Sequence, residues 1–415
     1  MAIDMTIPLD AKIAEALTKR RAQQFAFLKD LVSLNTQVPV ADMQKASDKL
    51  AKMLQVLGLE VERHTPSEDR LEAAGRQPFD NLIIRKKFGN GPILALVSHV
   101  DTPLAGDGWT VDPRKGHIQD GKLFGRGAVT GKGHLAAQIF ALLTLMDIGA
   151  MVGGTVEIHV SFDGESGGAL GARRMLADGV VNPDFAIVGG PARTVAYQST
   201  GKMIMEAQVR GKTAPVNAPA EGVDALEAAT QALSRLYQYR GSLAAHGSKV
   251  LGIGAPTLVV EEIQGGAESG GVPDLVTFKV DRRILPDEDT THVETHLTNL
   301  IGTTIAKMEG ARARIRRSVL IPPMGGDDEL QKQLGAMVAW HLRAKLGAEP
   351  EEVGVAYDHE GSHYAAKGIP TILYGAGPTD SVTAGMGAAD EHVVLDDVRL
   401  ATEILALSLV DLLPT

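Results

Sequence analysis

Three stretches of this chain carry residues able to hold a metal, move a proton or bind an anion. His99 and Asp101 close the run Val97-Ser98-His99-Val100-Asp101. A carboxylate two residues from an imidazole can accept from one ring nitrogen and leave the other for a metal. Asp163-Gly164-Glu165 places two acids on a glycine turn, where the plain alternative is a pair of solvated carboxylates. Asp358-His359-Glu360-Gly361-Ser362-His363 holds two of the chain's 12 histidines. There His359, Glu360 or His363 supplies ligands or a base, or the segment is an ordinary polar loop. Gly125-Arg126-Gly127-Ala128-Val129-Thr130-Gly131-Lys132-Gly133 opens a helix but is no phosphate loop, because Gly133 and His134 follow Lys132 where that motif needs Ser or Thr.

These groups must be positioned by a chain of 415 residues with a net charge of −10 and no cysteine. The length suggests two domains. The missing cysteines exclude disulfides, thiolate ligands and a cysteine nucleophile. The acidic balance argues against nucleic acid as a partner. Met1-Ala2-Ile3-Asp4-Met5 has no apolar segment of the secretory kind, so a cytoplasmic location is expected. Leu135 to Val152 is the most apolar stretch. Gln138 and Asp147 interrupt it, and it is shorter than the about 20 residues of a membrane span, so it predicts a buried helix and no membrane partner.

Apolar spacing predicts helices within 10–57, and Leu59-Glu60-Val61-Glu62 alternates as a strand does. Further strands are expected at 81–84, 93–97, 155–162 and 185–188, with helices at 134–148 and 169–178. Strands alternating with helices imply an α/β fold, a mainly parallel-type sheet with helices on both faces. The texture changes near 200. Strands at 203–209, 257–263, 275–281 and 311–318 with helices at 223–238 and 289–308 give the β-α-β-β-α-β order of a ferredoxin-like α+β unit. Helices at 328–346 and 394–413 and a strand at 371–374 return to the first style. The expected division is 1–198 with 314–415, interrupted by 199–313.

Taken in order, His99-x-Asp101, Trp109-x-x-Asp112-Pro113, Gly125-Arg126-Gly127-Ala128, Lys132-Gly133, Asp163-x-Glu165, Asp281-x-Arg283, Gly368-Ile369-Pro370 and Asp390-Glu391 resemble the aminoacylase, carboxypeptidase G and acetylornithine deacetylase family of dinuclear zinc hydrolases. The resemblance runs over nearly the whole chain. It implies that the inserted unit is a lid and dimerisation domain, that the protein is a homodimer or larger homo-oligomer, and that the substrate is a small carboxylate. It also implies that His99 and Glu165 are metal ligands, with Arg283 gripping the substrate carboxylate.

The departures from that pattern bear on chemistry. Thr130 stands where the family places the aspartate that bridges its two metals. Gly164 takes the place of the general-base glutamate, Gly190 of a further acidic ligand and Gly387 of a histidine ligand. Pro215 and Gly270 fall where the lid carries a histidine and an asparagine. Two cations roughly 3.5–4 Å apart need a bridging carboxylate, which a threonine hydroxyl does not replace. The expectation is therefore one weakly held divalent ion (manganese, zinc, cobalt or iron) on His99 and Glu165. Asp101, Asp163 and His363 are then the catalytic candidates, and Arg283, Lys132 and His359 the substrate-binding ones.

Three readings stay open. One is a metal-dependent hydrolase of a C–N bond other than a standard peptide bond, acting on an amino-aromatic acid such as 5-nitroanthranilate. The second is an amidohydrolase, deacetylase or peptidase with rewired ligands. The third is a non-catalytic homologue that binds a small molecule or a partner.

Overall fold

The structure is a computed structural model that describes residues 8–267, 270–378 and 382–415. Among them the chain divides into two compact units, one of 8–197, 326–353 and 363–415, the other of 198–325 and 354–362. The strands in chain order are β1 Glu62–His64, β2 Asn81–Lys87, β3 Ile93–His99, β4 His117–Gln119, β5 Lys122–Phe124, β6 Thr155–Ser161, β7 Phe185–Val188, β8 Val195–Ser199, β9 Gly201–Arg210, β10 Leu258–Gly265, β11 Leu275–Ile284, β12 Arg312–Ile321, β13 Glu352–Val355, β14 Thr371–Leu373 and β15 His392–Val394.

The large sheet has the order β1-β2-β6-β3-β7-β14-β8-β13. Its centre is parallel (β6, β3, β7, β14), while β1, β2 and β8 join antiparallel. Leu94, Ala95, Leu96 and Val97 of β3 are all fully buried. A continuous apolar run of this kind is what a strand covered on both faces requires. The helix Gly133–Asp147 is buried from Gly133 to Leu145 and packs against the first helix, Leu9–Ser33, and the last, Leu395–Leu412. The parallel register aligns strand ends: His99 lies opposite Ser161, Val97 opposite Val188, and Val188 opposite Leu373. The turns that follow β3, β6, β7 and β14 therefore emerge side by side at the carboxyl edge, where open α/β sheets carry their ligands.

The second unit has a four-stranded antiparallel sheet, β10-β11-β9-β12, with two helices, Ala225–Leu243 and Thr290–Ile305, against it. Met203, Met205, Ala207 and Val209 of β9 are buried at every second position and form its core. Asp224 and Asp289 cap the two helices by accepting backbone N–H groups of the first turn.

Two sequence expectations need correction. The strand placed at 59–62 is β1, three residues later: Leu59 still bonds back to Leu54, and pairing with β2 begins at Glu62. The second unit does not end at 313, because β12 pairs with β9 through Ile321. It also takes in 354–362, since Gly354 donates to the Leu251 carbonyl and Thr200 to that of Val355.

Candidate functional site

The site is built around a buried carboxylate. Asp101 accepts from the Gly164 N–H at 2.9 Å on one oxygen and from the Glu165 N–H at 3.0 Å on the other. Nδ1 of His99 faces that same carboxylate at 3.3 Å and the Asp101 carbonyl at 3.2 Å. Both neighbours are acceptors, so Nδ1 carries a hydrogen, and the ring is oriented through that nitrogen. His99 keeps 20% of its side chain exposed, whereas that of Asp101 is fully buried. One carboxylate thus fixes the imidazole that ends β3 and the turn after β6 that carries Glu165.

Gly164 packs on the His99 ring so closely that a Cβ there would overlap Cγ and Cβ of the imidazole. No glutamate can stand at that position in this arrangement. Thr130 lies in a single wide turn over Ala128–Lys132, closed by the Lys132 N–H to the Gly127 carbonyl at 3.0 Å. Its hydroxyl and N–H both donate to Glu391 at 3.3 Å. The other Glu391 oxygen accepts from Arg126 at 2.9 Å. Glu391 is fully buried and ties this turn to the C-terminal region.

His134, the first residue after the Gly-Lys-Gly run, fills the ends of β7 and β14. A Cβ on Gly189 would come within 2.5 Å of its ring, one on Gly375 within 2.6 Å and one on Gly377 within 3.0 Å. Nδ1 of His134 accepts the Ala376 N–H at 3.0 Å. Burial pushes His134 down to about 3, so it is neutral throughout the physiological range. At the neighbouring Gly190 a Cβ would press on the Leu373 and Tyr374 backbone at 2.7 and 2.8 Å.

The remaining candidates lie as follows. Asp163 is buried, with one oxygen on Arg76 at 2.7 Å and the other on the Leu170 N–H at 2.7 Å. It closes the turn after β6. Lys132 is 2% exposed, and Nζ donates to the Leu34 carbonyl at 3.0 Å and that of Val32 at 3.5 Å. Burial brings it down to about 7. It stitches the wide turn to the end of the first helix. His363 donates to the Gly167 carbonyl at 2.8 Å and is buried, bracing the same turn as Asp163. His359 and Arg283 belong to the second unit. There Arg283 donates to both oxygens of Asp281, at 3.0 and 3.2 Å, and to Asp358.

The donor set does not fit a pair of metals. Thr130 is committed to Glu391, Gly164 and Gly190 have no room for side chains, and Gly387 offers only backbone at φ 73°. Among the described residues no group of three histidines or acids stands close enough to hold an ion. Sequence reasoning missed His134 and gave Glu391, quoted within the Asp390-Glu391 motif, no role. The signal for His134 was glycines directly after two strands, Gly189-Gly190 and Gly375-Ala376-Gly377, opposite a histidine in a helix start where the resembled pattern needs no bulk.

A model of peptidase family M20/M25/M40 matches residues 95–411. A succinyl-diaminopimelate desuccinylase of Rhodospirillum centenum is 28% identical over 393 residues, covering 91% of this chain and 94% of its own. A probable succinyl-diaminopimelate desuccinylase of Staphylococcus epidermidis is 27% identical over 235 residues, half of this chain; the match spans only 58% of that relative's length. Among solved structures, the Saccharomyces cerevisiae di-peptidase Dug1p has the same fold, with a TM-score of 0.76 at 14% identity over 97% of this chain and 98% of that one.

The filled cradle makes a prediction about volume. Gly189→Ala should destabilise the chain by about 1–3 kcal/mol through overpacking. His134→Ala should relieve it, so a denaturant-melt double-mutant cycle should give a favourable coupling of at least about 1 kcal/mol between the two sites. Additive effects would mean that the ring does not fill this space. A second prediction concerns pH. Burial outweighs Arg76 and pushes the Asp163 carboxyl up to about 6 from its ordinary 3.8. A carboxyl raised in the folded state holds its proton more readily folded than unfolded. Its stabilising contribution is therefore full below 3.8 and is lost as pH climbs to about 6. Urea melts across that window should show this loss, and Asp163→Asn should flatten it.

Proposed function

The chain belongs to peptidase family M20/M25/M40, a family of hydrolases, and from that premise we propose that it cleaves a C–N bond in a small carboxylate-bearing substrate without the family's metal pair. The carrying observation is the Asp101 clasp, which presents His99 Nε2 and the Glu165 segment together at the carboxyl edge of the sheet. Two such donors suit one weakly held divalent ion, whose other positions would go to water and substrate. When bound, such an ion would polarise a substrate atom and acidify a water.

The chain's own residues supply the rest. Asp101 holds the imidazole in one tautomer and orientation and stabilises any positive charge the ring acquires. Asp163, Arg76 and His363 keep the turn carrying Glu165 rigid. Arg283 is the proposed partner of the substrate carboxylate, a planar fork that lysine does not reproduce. The absence of a base at Gly164 disfavours ordinary amides. An amino-aromatic acid such as 5-nitroanthranilate is better matched, because its electron-poor ring itself takes up the negative charge of the adduct. Assembly as a homodimer, through the second unit, belongs to the same proposal.

A second reading, a non-catalytic carboxylate binder, draws support from the His134 plug. Turnover separates the two. 5-Nitroanthranilate and N-acyl amino acids would be assayed with manganese or zinc present. The proposal predicts turnover of the aromatic amine that falls at least about 100-fold in His99→Ala and is likewise lost in Glu165→Ala and in excess chelator. Full activity in chelator, or an unaltered His99→Ala, would overturn it. Lack of any turnover of either substrate class would favour the binder.

A further inference from the structure

The second unit holds a compact charge cluster on β11. Arg283 is bound along one edge by Asp281, through Nε–H to one oxygen and Nη2–H to the other. Its remaining terminal nitrogen, Nη1, donates to Asp358. Lys202 lies 4.0 Å from Asp281. The two aspartates differ in setting. Asp281 is nearly buried, at 6% of its side chain exposed, and sits two residues away on the same strand. Asp358 is 18% exposed and arrives from the separate segment 354–362. Asp281 therefore orients the guanidinium, while Asp358 occupies the end of the fork that a ligand carboxylate would use.

We propose that Asp358 is an internal stand-in for a ligand carboxylate on Arg283, and that its displacement sets the affinity and specificity of that anion site. Charge balance supports an exchange over a simple addition. Two carboxylates (Asp281, Asp358) already face two cations (Lys202, Arg283), so an added anion would stand without a balancing charge. Replacing one carboxylate by another leaves the balance unchanged. A competing internal group lowers apparent affinity by the fraction of time the site stands open, and removing it returns that factor. This inference rests on the reading that the substrate carries a carboxylate, but its test does not depend on turnover.

The test is calorimetric titration of the full chain with benzoate, a planar carboxylate without a C–N bond, and with neutral benzamide. Asp358→Asn should tighten benzoate binding at least fivefold and leave benzamide unchanged. Asp281→Asn should not tighten it, since it frees the guanidinium from its orienting partner. Arg283→Gln should remove benzoate binding in either background. If Asp358→Asn leaves affinity unchanged or weakens it, or if both Asn variants tighten binding alike, the proposal fails; the last result would reduce the effect to net charge. Should Asp358→Asn melt well below the parent, Asp358→Ser carries the same expectation. Absence of hydrolysis would count against the C–N hydrolase reading and would leave this result standing.

Discussion

A carboxylate removed from water is costly unless its oxygens are met by donors. At Asp101 they are met by two backbone N–H groups of the turn after β6 and by the imidazole that ends β3. The arrangement follows from the parallel register, which sets His99 opposite Ser161 and so brings the two turns together. Every proposed reactive group of the first unit takes its position from this clasp. Gly164 can approach the His99 ring only because it lacks a side chain, and Glu165 follows directly on it. Asp163, Arg76 and His363 hold the far side of the turn, so it is restrained from both ends.

Along the rest of the edge, the positions that the resemblance assigns to metal ligands are engaged otherwise. Glu391, fully buried, takes three donors from the wide turn and a fourth from Arg126. The position that would bridge two ions is thereby engaged in holding the backbone. At β7 and β14 the exchange is steric: glycines at the strand ends make room for one large ring, His134, whose Nδ1 accepts the Ala376 N–H. Restoring a single acid at Gly190 would not restore a ligand, since the Leu373–Tyr374 backbone occupies the space its Cβ needs.

Much of this was legible in the sequence, and the reasons differ by element. β3 and the helix Gly133–Asp147 were readable because burial on all sides demands uninterrupted apolar residues. The ferredoxin-like order of the second unit was readable because β9 alternates strictly and its helices carry aspartate caps. The partnership of His99 with Asp101 is local and survives translation from sequence to structure. The structural bonds of Lys132 and Asp163 were not legible, for a common reason. A charged residue beside a glycine-rich turn reads as available, and only the fold reveals carbonyls or a guanidinium already bonded to it. Arg76, which holds Asp163, lies 87 positions away and has no local signature. The short strands β4, β5 and β15 escaped notice because three residues carry no periodicity.

The central claim is that the family fold here carries a two-donor centre at His99 and Glu165 in place of a metal pair. The most direct measurement is metal stoichiometry and affinity, by elemental analysis after dialysis and by titration of the apo chain with zinc and manganese. Dialysis should leave no retained metal, titration should give at most one weakly bound ion per chain, and His99→Ala should lose that binding. Two ions per chain that survive dialysis, or one that binds equally well in His99→Ala, would contradict it.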